Sequence, residues 1–233
     1  MGTGIPELSA TTDMDKAPTT LIIACGALAR EILAVIERAG WTNLSITCLP
    51  AIWHNYPDRI PEGVRQKIRE NRDRYDRLLV LYADCGTGGE LDRVLEEEGG
   101  VERIAGPHCY EFYAGSAAFA AMHEAELGTF YLTDYLVRQF DKLIIEGLAL
   151  DRHPELREAY FGNYKKLIYL AQRDDPALDT RAEAAAARLG LAYERRFTGY
   201  GELQSFIEEA QRMLPPGNTA PASPSDKTAA RSH

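Results

Sequence analysis

Residues 20–40 read TLIIACGALAREILAVIERAG. Thr20–Ala24 is an apolar run ending at Cys25-Gly26, with the length and composition of a strand buried on both faces. Ala29–Ala39 then sets Ile32, Leu33, Ile36 and Ala39 on one face at helical spacing, and Gly40 supplies the stop. A buried strand feeding an amphipathic helix is one βα unit, and it sets the reading of the rest of the chain.

Working outward, the unit recurs. Leu44–Leu49 reads as a second strand with Leu44, Ile46 and Cys48 on one apolar side, which assigns Cys48 to the core. Ile60–Tyr75 is a charged helix with a thin stripe of Ile60, Val64 and Ile68. Arg77–Ala83 is a third strand, Glu90–Glu98 a short helix, Val101–Ala105 a fourth strand, and Ser116–Glu126 a helix capped by Ser116. In the second half, strands are expected at Thr129–Leu132, Leu167–Gln172 and Ala192–Phe197. A long helix capped by Thr133 or Asp134 carries Leu136, Val137, Phe140, Leu143 and Ile144 inward. Further helices are expected at Glu155–Tyr160, Leu178–Leu189 and Glu202–Met213. The alternation predicts an α/β, Rossmann-like doubly wound fold: a mostly parallel sheet with helices on both faces and right-handed crossovers. It forms one domain over 19–213, in two halves that break near 127. A polar leader (1–18) and a proline-rich tail (214–233) carry too few large apolar side chains to order themselves.

The 233 residues are 45% hydrophobic and 26% charged, enough for one real core. The net charge of −9 disfavours nucleic acid and anionic membranes as partners. No stretch approaches the roughly 20 apolar residues of a membrane helix, and the first apolar run lacks the basic flank of a secretory signal. The four cysteines are therefore read as thiols or ligands of a cytoplasmic protein rather than as disulfides.

Cys25 ends the first strand, His54 follows the second, Cys85 ends the third and Cys109 follows the fourth. The spacings of 29, 31 and 24 residues are each about one βα unit, so the topology carries all four side chains to one edge of the sheet. Three thiolates and an imidazole suit tetrahedral zinc. Three cysteines alone suit a [4Fe–4S] cluster with one open iron. Thiolates at helix N-termini are expected to have lowered pKa values. The competing reading is three cysteines buried separately as small hydrophobes, since none of the spacings is a CxxC pair. Glu31, Asp84 and His108 lie near the same edge as candidates for orienting the ligands, and His108 is an alternative nitrogen donor. Gly86, Gly88 and Gly89 follow a strand and open a helix, as a phosphate-cradling turn does, although the lysine of a P-loop is absent. Gln172 and Asp174 end a later strand and belong to the same edge. Together with Tyr160, Asn163 and Tyr164 they read either as a substrate pocket or as a structural turn before Pro176. No Ser/His/Asp elbow and no HExxH occurs, so catalytic residues are not assigned.

These segments resemble the DUF1638 family. The likeness rests on Cys25-Gly26, Leu49-Pro50 with His54-Asn55 and Pro57, Tyr82-x-x-Cys85-Gly86, Pro107-x-Cys109, and Gly128-Thr129-Phe130-Tyr131-Leu132-Thr133, and it covers most of residues 20–210. Where the family pattern reads Pro-Arg-x-x-Asp-Cys, this chain lacks the arginine and has His108 in place of the aspartate. The resemblance implies a role in one-carbon metabolism, because family members accompany corrinoid-dependent methyltransferases and corrinoid proteins. On that footing a corrinoid protein or a corrinoid methyltransferase is the expected partner, and the chain is a metal-dependent methyltransferase or an accessory factor, the alternative being a non-catalytic small-molecule-binding or partner-docking domain.

Overall fold

The computed structural model describes residues 18–106 and 108–212. The expected leader and tail, apart from Pro18, lie outside them, as does Pro107. Four strands, β1 (Thr20–Cys25), β2 (Leu44–Leu49), β3 (Arg77–Leu81) and β4 (Val101–Arg103), form a parallel sheet in the order β2-β1-β3-β4. Cys25 pairs with Leu49, and Ala24 with Leu81, so the ends of the three long strands lie level.

Side chains alternate across the sheet with a period of two. Ile22, Ala24, Leu79 and Leu81 pack beneath α1 (Ala29–Ala39) and α9 (Gly201–Arg212). Leu21, Ile23, Leu78 and Val80 face α2 (Ile60–Asn71) and α3 (Glu90–Glu98). Both faces are covered, as the doubly wound reading requires.

The single sheet expected from the sequence is divided. Strands β5 (Thr129–Thr133), β6 (Lys166–Ala171) and β7 (Ala192–Phe197) form a second parallel sheet, in the order β5-β6-β7. The first sheet stops at β4 for a physical reason. This strand has only three residues, and its middle residue, Glu102, is exposed and ion-paired to Arg77 at 2.6 Å. A short charged edge is a poor template for another strand. The chain instead enters α4 (Cys109–Ala114) and α5 (Ser116–Ala125). Helix α4 joins the halves: Phe112 and Tyr113 belong to the core of the first sheet, while Tyr110 packs on Tyr131, Ile168 and Leu170 of the second. The opposite face of the second sheet is covered by α8 (Pro176–Leu189), through Leu178, Ala182 and Leu189.

Three local expectations are corrected. Cys48 is exposed, because β2 is an edge strand with β1 on one side only. The N–H of Ser116 is capped by the Glu202 carboxylate at 3.0 Å, so Ser116 is the first helical residue rather than its own cap. The long helix after Thr133 is interrupted: α6 (Asp134–Arg138) gives way to a π-helical segment over Asp141–Glu146, and α7 (Leu156–Phe161) follows. Among the described residues no helix is long and apolar enough to cross a membrane.

Candidate functional site: a thiol-lined crevice

The chain runs from β1 outward to β2, then crosses back to β3 on the other side of β1. That reversal opens a crevice beyond the carboxyl ends of β1 and β3. A cavity of about 190 Å³ occupies it, and Cys25, His54, Cys85 and Cys109 all line it.

Each arrives by a local device. Cys25 is the last residue of β1, and the chain turns at once through Gly26, where a Cβ would sit 3.0 Å from the Leu49 carbonyl oxygen. His54 rides on a 3-10 turn, Ala51–Asn55, seated by the neighbouring Trp53 ring over Gly63; a Cβ on Gly63 would come within 2.3 Å of that ring. Cys85 adopts φ +49°, a left-handed conformation that costs a side-chain-bearing residue roughly 1–2 kcal/mol. The surrounding fold holds it there, and strain of this kind clusters at functional sites. Cys109 begins α4.

The thiols are half-buried in the cavity wall, and all three have raised pKa values. Burial is the main cause in each case. For Cys85 the charges of Cys25 and Asp84 add to it, pushing the thiol up to about 12. For Cys109 the charges of Cys85 and Cys25 add to it. The lowered values expected for thiolates at helix N-termini are therefore not found: burial and mutual repulsion outweigh the backbone amides that assist ionisation. His54 moves the other way, lowered first by burial and then by the charge of His108. At neutral pH the crevice thus presents three neutral thiols and a neutral imidazole. The Tyr82 hydroxyl is buried beside Cys25 and, among the described residues, has no nitrogen or oxygen partner.

A family model described as DUF1638, a protein of unknown function, matches residues 48–207. The chain belongs to the DUF1638 family. No curated protein and no solved structure matches it. The DUF1638 match contains His54, Cys85 and Cys109, while Cys25 precedes it.

The remaining expected site residues of this DUF1638 chain lie elsewhere. The Asp84 carboxylate turns into the glycine loop, where it accepts hydrogen bonds from the Gly89 N–H at 2.9 Å, the Gly88 N–H at 3.2 Å and the Thr87 hydroxyl. A protein carboxylate already occupies the amides that would cradle a phosphate, and Gly86, Gly88 and Gly89 do not line the cavity. Glu31 is buried, binds Arg138 at 3.0 Å and does not line the cavity. His108 stands at the N-terminus of α4, its ring 6.2 Å from that of Tyr110. Gln172 is buried in a structural role: its side-chain oxygen accepts from the Asp134 N–H at 2.8 Å, and its own N–H donates to Asp134 at 3.0 Å. Asp174 is exposed and pairs with Arg195 at 2.7 Å. Tyr160 is exposed, and Tyr164 packs edge-on to Phe130.

The sequence reading missed part of the lining. Phe130 from β5, Leu136 from α6, and Leu143 and Ile144 from the π-helical segment also line the cavity. Their helical periodicity marked the last three as inward-facing, but nothing in it says that their inside is this crevice. Among the described residues no group of three or more His, Cys, Asp or Glu side chains is arranged as a metal-ligand cluster. The three thiols and His54 share a cavity without closing into a ligating array.

Proposed function

We propose that this crevice holds a thiophilic centre, zinc or a [4Fe–4S] cluster, on Cys25, Cys85 and Cys109, with His54 as the nitrogen donor, and that the protein is a methyltransferase or accessory factor in corrinoid-linked methyl transfer. One observation carries the metal reading: the end of β1 and the segments that follow β2, β3 and β4 bring three sulfurs and an imidazole to a single cavity. The donor types, though not their present arrangement, suit such a centre. The imidazole is neutral, with a lone pair available, and the thiols are neutral in the absence of a cation that would stabilise their ionised forms. A zinc held by only three of these four donors would keep an open position and supply Lewis acidity for activating a thiol, and a three-cysteine cluster would supply an open iron. What the chain itself supplies is position and water exclusion. The strained Cys85 backbone aims one sulfur inward, Gly26 lets β1 end against β2, and the apolar wall keeps the site dry. The corrinoid connection and the cytoplasmic location extend the family resemblance and the four free thiols. Corrinoid would enter only through a partner protein.

The test is metal content and the ultraviolet–visible spectrum of anaerobically purified protein, beside a Cys85→Ala variant. One zinc per colourless chain, or a brown protein absorbing near ~400 nm, lost in the variant, is the expected result. Metal-free protein under both zinc and iron supplementation overturns the reading. One observation favours a metal-free small-molecule-binding domain instead: the thiols are not arranged as a ligating cluster. The same measurement separates the two.

A further inference from the structure

Strand β7 ends the second sheet, with β6 on one side and, among the described residues, no strand on the other. The Ala192 N–H donates to the Lys165 carbonyl at 3.1 Å, and the Thr198 N–H to the Ala171 carbonyl at 2.9 Å. Even-numbered positions of β7 therefore bond toward β6. Successive residues of a strand alternate in direction, so Tyr193, Arg195 and Phe197 turn their N–H and C=O groups to the open side. Open edges invite pairing and are commonly blunted. Strand β4 is short and charged, and four of the five residues of β5 are buried. Strand β2 is open but carries no charge that would fix a register.

The side chains of β7 are nearly palindromic about Arg195. On one face stand Glu194 and Arg196, 2.6 Å apart, and Glu194 also accepts from Lys166 at 3.1 Å. On the other face stand Tyr193 and Phe197, and the Phe197 ring is 57% exposed. Arg195 itself is held by Asp179 and Asp174, each at 2.7 Å.

A two-fold axis sets a strand antiparallel to its own copy, so the edge must complement itself. Outward-facing residues must also oppose one another to exchange hydrogen bonds. Opposing Tyr193 to Arg195 sets Glu194 against Glu194, and opposing Arg195 to Phe197 sets Arg196 against Arg196. Registers centred on Tyr193 or Phe197 leave at least half of β7 unpaired. Centring on Arg195 sets each Glu194 against Arg196 of the second copy, and each Tyr193 against Phe197. The two Arg195 charges that then meet are each already offset by two aspartates.

We propose that β7 is the interface of a homodimer, two copies pairing antiparallel about an axis at Arg195 so that their second sheets run on as one. Strand β7 contributes nothing to the cavity lining, so the inference stands apart from any centre held there.

The experiment is sedimentation equilibrium of the full chain at micromolar concentration, with circular dichroism of each variant. The parent is expected to be a dimer. Arg196→Glu sets carboxylates against each other in both symmetry-related pairs and should raise the dissociation constant roughly tenfold or more. The exchange Glu194→Arg/Arg196→Glu keeps the two positions complementary and should restore association. Phe197→Ser removes an exposed ring and should also weaken the dimer, a result that can be read even where a charge variant fails to fold. A monomeric parent overturns the proposal. A dimer indifferent to both Arg196→Glu and Phe197→Ser also overturns it, by placing the contact elsewhere, such as on β2. An exchange variant that is folded but stays dissociated overturns the register.

Discussion

Replacing Arg138 by methionine should destabilise the protein by up to about 3 kcal/mol at pH 7 and by less than about 1 kcal/mol at pH 5. Arg138 is the cation between two buried carboxylates: it donates to Glu31 at 3.0 Å and stands 3.9 Å from Asp134. Glu31 belongs to α1, on the first sheet, and Arg138 to α6, beside the second, so the ion pair ties the halves together beside the crevice. Asp134 would keep the Tyr169 hydroxyl at 2.7 Å and the Gln172 N–H at 3.0 Å, with Arg173 at 3.6 Å. One Glu31 oxygen accepts from Arg138, and among the described residues its second, buried oxygen has no partner. Deprived of the guanidinium, Glu31 escapes its buried charge by taking up a proton. Counted from the ordinary carboxylate value of 4.5, protonation costs about 1.4 kcal/mol per pH unit, so the added penalty is at most about 3 kcal/mol at pH 7, reduced by the part the parent already bears because its own Glu31 is raised. This ceiling lies at the lower end of the roughly 3–5 kcal/mol typical of a buried pair that loses one member.

The sign follows from the direction of the Glu31 shift. Its pKa is already raised, chiefly by burial and against the pull of Arg138. The fold therefore favours the protonated form. That contribution is complete below the unfolded pKa and is lost as pH rises through the folded value. Removing Arg138 raises the folded value further, so the loss continues to higher pH and the variant falls behind the parent. Urea unfolding followed by circular dichroism at pH 5 and pH 7 measures it, and adding Glu31→Gln to the variant should flatten the pH dependence. A penalty below about 1 kcal/mol at pH 7, or one that does not change with pH, would refute the reasoning.

Two further outcomes can be checked. Zinc binding at pH 7 should release about three protons per ion, one from each raised thiol and none from the already neutral His54, so affinity should climb up to roughly a thousandfold per pH unit; calorimetry in buffers of different ionisation enthalpy counts the protons, and a count below two contradicts the assignment. Gly63→Ala should cost about 1–3 kcal/mol, since its Cβ would lie 2.3 Å from the Trp53 ring. By moving the turn that carries His54 it should also weaken zinc binding, whereas a tight-binding variant of parental stability would show that Trp53 does not seat that turn.

The four residues of the proposed centre were legible because right-handed βα units return the chain to the same edge at each strand end. One position per unit suffices to predict convergence, and Cys25, His54, Cys85 and Cys109 share one cavity. The roles proposed for Gly86, Gly88, Gly89, Gln172 and Asp174 were not legible in the same way. A glycine turn after a strand has the same sequence whether its amides hold a ligand phosphate or the Asp84 carboxylate four and five residues back. Only hydrogen-bond geometry tells these apart. Cys48 went astray because alternation assigns a face but not whether the strand lies at the centre or the edge of its sheet.

Local periodicity, set by backbone geometry alone, was enough to determine the βα units, the parallel pairing and the strand ends at which the thiols emerge. The division into two sheets, the return of α9 to the first of them, and the lining that Phe130, Leu136, Leu143 and Ile144 share with the cysteines were decided by tertiary packing. Which elements meet across the crevice depends on which apolar faces find each other over long chain separations, and no window of local sequence carries that information. The neutrality of the site has the same origin, because the thiol pKa values are raised by burial that exists only once the halves have closed.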